Sequence, residues 1–290
     1  MICSASTFLS AANEKDWQEI KDLTHRCSQV HEHLDWQDPK VWLGKSSFVV
    51  ARCGQSLSGW LAILPEVDGV ALLRLAAIEE GVATRGLMDQ MYQLSCEALK
   101  QNSVTRVAVL NPDPWLELSL VKWGFAASDI VVVMVRDCGN IPSQSESALT
   151  IRAYLPKDLA AIISIDNAAF AAPWAHSSEM LRTGLGTADY STVAELDGHI
   201  VGYQISTGGK DNAHMGRLAV HPRLQKRGIG RILVGDVIRH FETCSTQKIS
   251  VNTQEDNDAA QNLYSSLGFR QTGDSYVVWQ LWLRHTMAYL

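Results

Sequence analysis

In residues 16–30 (DWQEIKDLTHRCSQV) the apolar positions Trp17, Ile20, Leu23 and Cys27 recur at helical spacing, which predicts an amphipathic helix after a short strand near residues 7–11. Residues 48–51 and 57–64 are short apolar runs around a turn at Cys53-Gly54-Gln55, the pattern of a β-hairpin. The pattern then predicts a strand over 70–77, a helix over 87–100, a strand over 105–110, a helix over 115–123 and a strand over 130–135. Residues 138–147 (CGNIPSQSES) are polar with Gly and Pro, as a linker would be.

Beyond that linker the same order begins again, with a strand over 150–153, a helix over 158–169 and a hairpin of 192–194 with 200–206. Individual residues line up too. Lys15-Asp16 precedes Lys157-Asp158 by 142 positions, and Ala51 with Ala194 and Gly59 with Gly202 are each 143 apart. Arg74-Leu75-Ala76 against Arg217-Leu218-Ala219 gives 143, and Gly124-Phe125 against Gly268-Phe269 gives 144. The chain therefore reads as two copies of one domain, over 1–140 and 150–290, joined by a linker at 141–149. Two copies at so long a period do not make a solenoid.

The copies differ where chemistry would sit. QKRGIG, residues 225–230, lies between the apolar runs Leu218-Ala219-Val220 and Ile232-Leu233-Val234, as a strand, a tight glycine turn and a helix opening. Gly228 and Gly230 let the backbone approach a ligand, and the free N–H groups of the helix start carry partial positive charge, which suits a phosphate. Lys226, Arg227 and Arg231 crowd the same turn, where cations alone are mildly unfavourable and an anion would relieve them. The first copy has Ala83-Thr84-Arg85-Gly86-Leu87-Met88 instead, with Met88 expected to obstruct a phosphate, and Leu120 where the second copy has Tyr264.

Composition bounds the function. The net charge of -6 over 290 residues, with no block of like charge, gives no reason to expect nucleic acid or an anionic membrane as partner. No apolar run reaches the ~18 residues of a membrane span, and no basic leader precedes an apolar segment. Six cysteines without a C-x-x-C pair argue against zinc and against a disulfide framework, so reduced thiols and a cytoplasmic protein are expected.

From residue 150 to 283 the chain resembles the GNAT superfamily of acyl-CoA-dependent N-acetyltransferases. Gln225, Gly228 and Gly230 match that family's Gln/Arg-x-x-Gly-x-Gly/Ala turn. Asn257, Ala260, Leu263, Tyr264, Gly268 and Phe269 match its N-x-x-A-x-x-L-Y-x-x-x-G-F pattern. The resemblance implies an α/β (α+β) fold of two tandem GNAT domains, each a mixed, mostly antiparallel twisted sheet flanked by helices, the first with eroded motifs. It implies acetyl-CoA as acyl donor, with pyrophosphate on Gln225, Lys226, Arg227, Gly228, Ile229, Gly230 and Arg231. The pantetheine arm is then expected along Leu218, Ala219 and Val220, with Asn257 touching it, acting as an ordinary helix cap, or both at once.

The resemblance makes Tyr264 the general acid that protonates the leaving thiolate, a step a phenol can perform. For the base that takes the amine proton the candidates are His214 and Glu255. Relatives that acetylate protein N-termini carry a glutamate in the preceding strand, where this chain has Asn252. The segment NAAFAAPW, residues 167–174, looks like the acceptor-bordering loop of the ribosomal-protein N-terminal alanine acetyltransferases. Phe170 and Trp174 either wall an acceptor groove there or close a core. The expected activity is acetyl transfer to a primary amine of a small molecule or peptide by direct attack, in a monomer or homodimer. The competing reading is a non-catalytic module that binds coenzyme A.

Overall fold

The computed structural model describes residues 7–33, 36–79, 84–139 and 149–283. The first part of the chain runs through β1 (Thr7–Ala11), α1 (Trp17–Arg26), β2 (Gln29–Glu32), β3 (Phe48–Cys53), β4 (Ser56–Pro65) and β5 (Val70–Ile78). It continues through α2 (Thr84–Lys100), β6 (Arg106–Leu110), α3 (Pro114–Trp123) and β7 (Ala126–Asp137). Then come β8 (Thr150–Ala153), α4 (Leu159–Ala169), α5 (Ser178–Thr187), β9 (Tyr190–Leu196), β10 (His199–Gly208) and β11 (Asn212–Val220). The last elements are α6 (Ile229–Thr243), β12 (Lys248–Gln254), α7 (Asp258–Ser265) and β13 (Arg270–Trp282). Of the expected linker at 141–149, only Leu149 lies within the described residues.

The chain packs as two compact units, Met1–Asp129 with Val277–Leu290, and Ile130–Tyr276. They do not coincide with the halves at 1–140 and 150–290 drawn from the repeat. In the first unit the strand order is β1-β3-β4-β5-β6, and the end of β13 pairs antiparallel with β6, Val278 opposite Leu110 and Trp282 opposite Arg106. In the second it is β8-β9-β10-β11-β12, and β7 closes the far edge of β12, Val131 opposite Gln254 and Asp137 opposite Lys248. Each unit is finished by the last strand of the other half of the sequence. Both sheets are mixed: β5 runs parallel to β6 and β11 parallel to β12, with antiparallel neighbours elsewhere.

Burial on both faces explains the continuous apolar strands. All nine residues of β5 are buried. One face packs under Leu87, Met88 and Met91 of α2 and Leu116 and Leu120 of α3, the other under Ile20 and Leu23 of α1 with Trp42. In the second unit Val234, Val237, Ile238 and Phe241 of α6 cover Ala213, Met215, Ile249 and Val251.

Three expectations need correction. The helix expected over 16–30 ends at Arg26, and Gln29–Glu32 becomes strand β2 because β5 offers it an edge, an override of a local pattern by a non-local partner. The helix α5 has no counterpart in the predicted elements; the hydroxyl of Ser177 caps it, accepting from the Met180 N–H at 3.2 Å. Cys53 is disulfide-bonded rather than a reduced thiol, whereas Cys96, Cys138 and Cys244 are free. Among the described residues no helix is long and apolar enough to cross a membrane.

Candidate active site

The second unit is built around a fork. β11 and β12 pair only from Asn212 to Met215 against Lys248 to Val251, after which β11 runs on to Val220 and β12 to Gln254 without each other. On its other side β11 stays bonded to β10, with a slip at the apex that leaves Gly216 unpaired between Met215, opposite Ser206, and Arg217, opposite Ile205. Such a bulge bends one strand away from its neighbour. Beyond it the β12-facing edge of β11 has no strand partner among the described residues. The side chains of Ala219 and Val220 are buried, so the backbone is what β11 presents there.

That edge leads into the QKRGIG turn. Gln225 folds back and donates from Nε2 to the Val220 carbonyl at 3.2 Å. Lys226 at φ 61° and Gly228 at φ 82° are left-handed, the kind of backbone that can gather successive N–H groups on one side as a nest. Gly228 is the N-cap of α6 and supplies no side-chain cap, so the first-turn N–H groups keep their capacity for an anion. A Cβ on Gly228 would meet nothing within 4 Å, so this glycine is required for its backbone angle. Gly230 has a different reason: a Cβ there would lie 3.2 Å from Leu263 Cδ2, so it lets α6 approach α7.

Ile229 buries its side chain, while Lys226 and Arg227 are exposed on the turn. Arg231 is engaged elsewhere, donating from Nη1 to Ser266 Oγ at 2.7 Å. In the first unit Ala83 lies outside the described residues, and the side chain of Met88 is buried in the core.

Tyr264 is the buried residue of α7, 6% exposed, packed beside Phe269 with ring centroids 5.7 Å apart. Burial pushes its phenol up to about 12, and among the described residues no group hydrogen-bonds its hydroxyl. It is a neutral donor with an unspent proton. Asn257 caps α7, its side chain accepting from the Ala260 N–H at 3.1 Å. Gly268, at φ 87°, ends the motif where a Cβ would fall 2.5 Å from Nη1 of Arg136 on β7. That guanidinium is tied to the Leu267 carbonyl at 2.7 Å.

His214 lies within β11 and is half-buried. Its neighbours Ala213 and Met215 point into the α6 and α7 cluster, so by strand alternation His214 points to the opposite face, the side of α4. Its Nδ1 is 3.0 Å from Ser250 Oγ, and that hydroxyl donates to the Ala213 carbonyl at 3.2 Å. A hydroxyl has one proton, so Nδ1 is the donor of the pair and Nε2 carries the free lone pair. Burial lowers the imidazole pKa below its usual 6.5, keeping it neutral. Glu255 is exposed at the turn before α7, its carboxylate unpaired among the described residues; only its backbone is engaged, through the Ile130 carbonyl at 2.8 Å and Gln261.

On the α4 face sits a group that pattern reading missed. Asp166, fully buried on α4, accepts from Arg217 Nε and Nη2, both at 2.8 Å, and from the Tyr203 hydroxyl. The Arg217 guanidinium lies 3.6 Å from the ring centroid of Phe170, the residue that ends α4. Phe170 and Trp174 are both half-buried, and the buried Asp166–Arg217 pair braces the Phe170 ring. The available signal was an arginine inside the apolar strand GRLAV, whose partner lies 51 residues away.

Residues 159–269 match the acetyltransferase (GNAT) family. A ribosomal protein bS18-alanine N-acetyltransferase from Salmonella typhimurium is 30% identical over 122 residues, which are 42% of this chain and 81% of that protein. A mycothiol acetyltransferase from Tsukamurella paurometabola is 28% identical over 154 residues, 47% of this chain and 52% of that one. Among solved structures, a GCN5-related N-acetyltransferase from Sphaerobacter thermophilus shares the fold with a TM-score of 0.61 at 18% identity, over 96% of both chains. A tandem GNAT protein from the clavulanic acid biosynthesis pathway does so at 0.62 and 16% identity, over 96% of this chain and 98% of that one.

Proposed function

Because the chain belongs to the acetyltransferase (GNAT) family, we propose that its acetyl transfer runs at the β11–β12 fork of the second unit and ends on a primary amine. The protein is an acetyl-CoA-dependent acyltransferase. One observation carries the placement: a strand edge unpaired among the described residues, leading directly into a helix start without a side-chain cap. Backbone groups of residues 216–219 suit the two amides of an extended pantetheine arm, and the nest at residues 226–231 suits its pyrophosphate.

The acetyl thioester supplies an electrophilic carbonyl carbon. The amine, held on the α4 face, forms the new C–N bond there and gives up a proton toward Nε2 of His214. As the C–S bond breaks, Tyr264 gives its phenolic proton to the departing sulfur, and solvent returns one later. Acid and base thus stand on opposite faces of the sheet, each with the protonation state its role needs. Most of the remaining acceleration is positioning.

For the acceptor, the relatives' names give a ribosomal protein alanine and mycothiol. The 30% identity to the former, together with the Phe170–Trp174 segment, favours the α-amine of a peptide over a small amine. The test is thiol release from acetyl-CoA on a panel of alanine-first peptides and small primary amines. Turnover on peptides, lost in Tyr264→Phe with acetyl-CoA affinity kept, is the expected result; full turnover in that variant would remove Tyr264 as the acid.

A further inference from the structure

The first unit carries the same fork, and the chain fills it with itself. β5 pairs in parallel with β6 only from Val70 to Leu72 against Arg106 to Ala108, then runs on alone to Ile78. Its β4 side is paired from Ala71 to Ile78, with one slip that passes over Arg74 between Leu73, opposite Ile63, and Leu75, opposite Ala62, the same kind of bulge that β11 has at Gly216. The strand β2 therefore lies on the fork side, where Gln29, Val30, His31 and Glu32 pair antiparallel with Ile78, Ala77, Ala76 and Leu75. The next residue continues the ladder, the His33 N–H donating to the Arg74 carbonyl at 2.8 Å.

β2 is also fastened to the other lip. His31, 1% exposed, donates from Nδ1 to Asp113 Oδ2 at 2.9 Å, and Trp115 Nε1 donates to the Val30 carbonyl at 3.2 Å. Asp113 is the N-cap of α3, and at the 144-residue spacing of the Gly-Phe landmarks it corresponds to Asn257. Asn257 spends its side chain capping α7, whereas Asp113 makes no cap bond and holds β2 instead. Both the strand edge and the cap position that resemble donor contacts in the second unit are used up by β2 in the first.

We infer that β2 occupies the first unit's donor groove as a built-in strand, so that this unit takes no coenzyme A and each chain binds one acyl donor, at the second unit. The inference rests on the proposed placement of the donor at the β11–β12 fork. Entry of a pantetheine arm at β5 would require breaking a four-residue ladder and two side-chain bonds, and the ligand would restore only part of them.

The test is calorimetric titration of the full chain with acetyl-CoA, joined to hydrogen exchange by mass spectrometry with and without it. The expected stoichiometry is one. Peptides covering β2 and the end of β5 should exchange slowly in the free protein and stay unchanged, while amides of residues 216–220 and 226–231 slow on the order of tenfold or more with saturating donor. A stoichiometry of two overturns the inference. So does a stoichiometry of one with the change falling on residues 29–32 and 75–78, which also shows that the first unit, not the second, is the donor site. No binding at all overturns the placement of the donor at the second fork and the count with it, while slow exchange of β2 would still be read independently.

Discussion

The two forks differ in the segment that trails the first helix of each half. After α1 the chain QVHE enters the groove beside β5 as a strand; after α4 the corresponding stretch, carrying Phe170, cis Pro173 and Trp174, turns away and leads into α5. In consequence one fork is sealed by a strand and the other, among the described residues, keeps a free edge. The sheet, the bulged central strand and the covering helices are common to both. A groove with unsatisfied backbone groups must be completed by something, and a short change in one connecting segment decides whether that is the chain or a ligand.

The largest effect should come from separating the halves. Residues 150–290 expressed alone lack β7, so the β12 edge from Lys248 to Gln254 loses its partner strand and Gly268 loses the Arg136 packing. That fragment should aggregate or remain unfolded by circular dichroism, and coexpression with residues 1–149 should restore soluble, active protein. A folded, active fragment would show that the exchanged strands are dispensable. Next in size is the acid: Tyr264→Phe should lower kcat by roughly 10²–10⁴ with little change in donor affinity. The matching change in the sealed unit, Leu120→Tyr, should create no second activity in a Tyr264→Phe background; recovery of turnover there would mean that β2 does not seal its fork.

A third effect concerns stability. Asp166→Ala strands Arg217 as a buried, unpaired cation and should cost about 3–5 kcal/mol by denaturant unfolding. Exposed Arg270→Ala, whose partner is the exposed Asp137, should cost little by the same measurement. Equal losses would mean that the Asp166 pair is not sequestered from water.

The features legible in the sequence and those hidden from it divide along the range of the interaction. The turn at residues 225–230 and the helix bearing Tyr264 are legible because their geometry is set within a few residues: a left-handed glycine, a helix start, a cap at Asn257. The fate of residues 29–32 is not, because a four-residue stretch trailing a helix has no local reason to be a strand until β5 offers it an edge. The same holds for the exchanged strands β7 and β13, whose partners are chosen across the chain, and for Asp166 with Arg217. Gly230 is a place where bulk is excluded, as its motif suggests, but the group that excludes it is Leu263.

The smallest effect, and the one that separates a buried histidine of each unit, is in pH. Burial lowers the pKa of both His214 and His31 below 6.5. For stability the two act alike. Above pH 6.5 neither state binds a proton at these rings; as pH falls from 6.5 toward the folded pKa the unfolded chain takes a proton that the native ring refuses, so stability declines over that window. For activity they should differ. If His214 accepts the amine proton, the acid limb of kcat/KM lies below pH 6.5, and His214→Gln lowers the plateau and removes that limb. Ser250→Ala, which frees Nδ1 and loosens the tautomer, should give a lesser loss with the limb retained. His31→Gln, in the sealed fork, should leave the limb where it is. An unchanged limb in His214→Gln would transfer the proton to water or another group, and a shifted limb in His31→Gln would mean that the sealed unit shares in the chemistry after all.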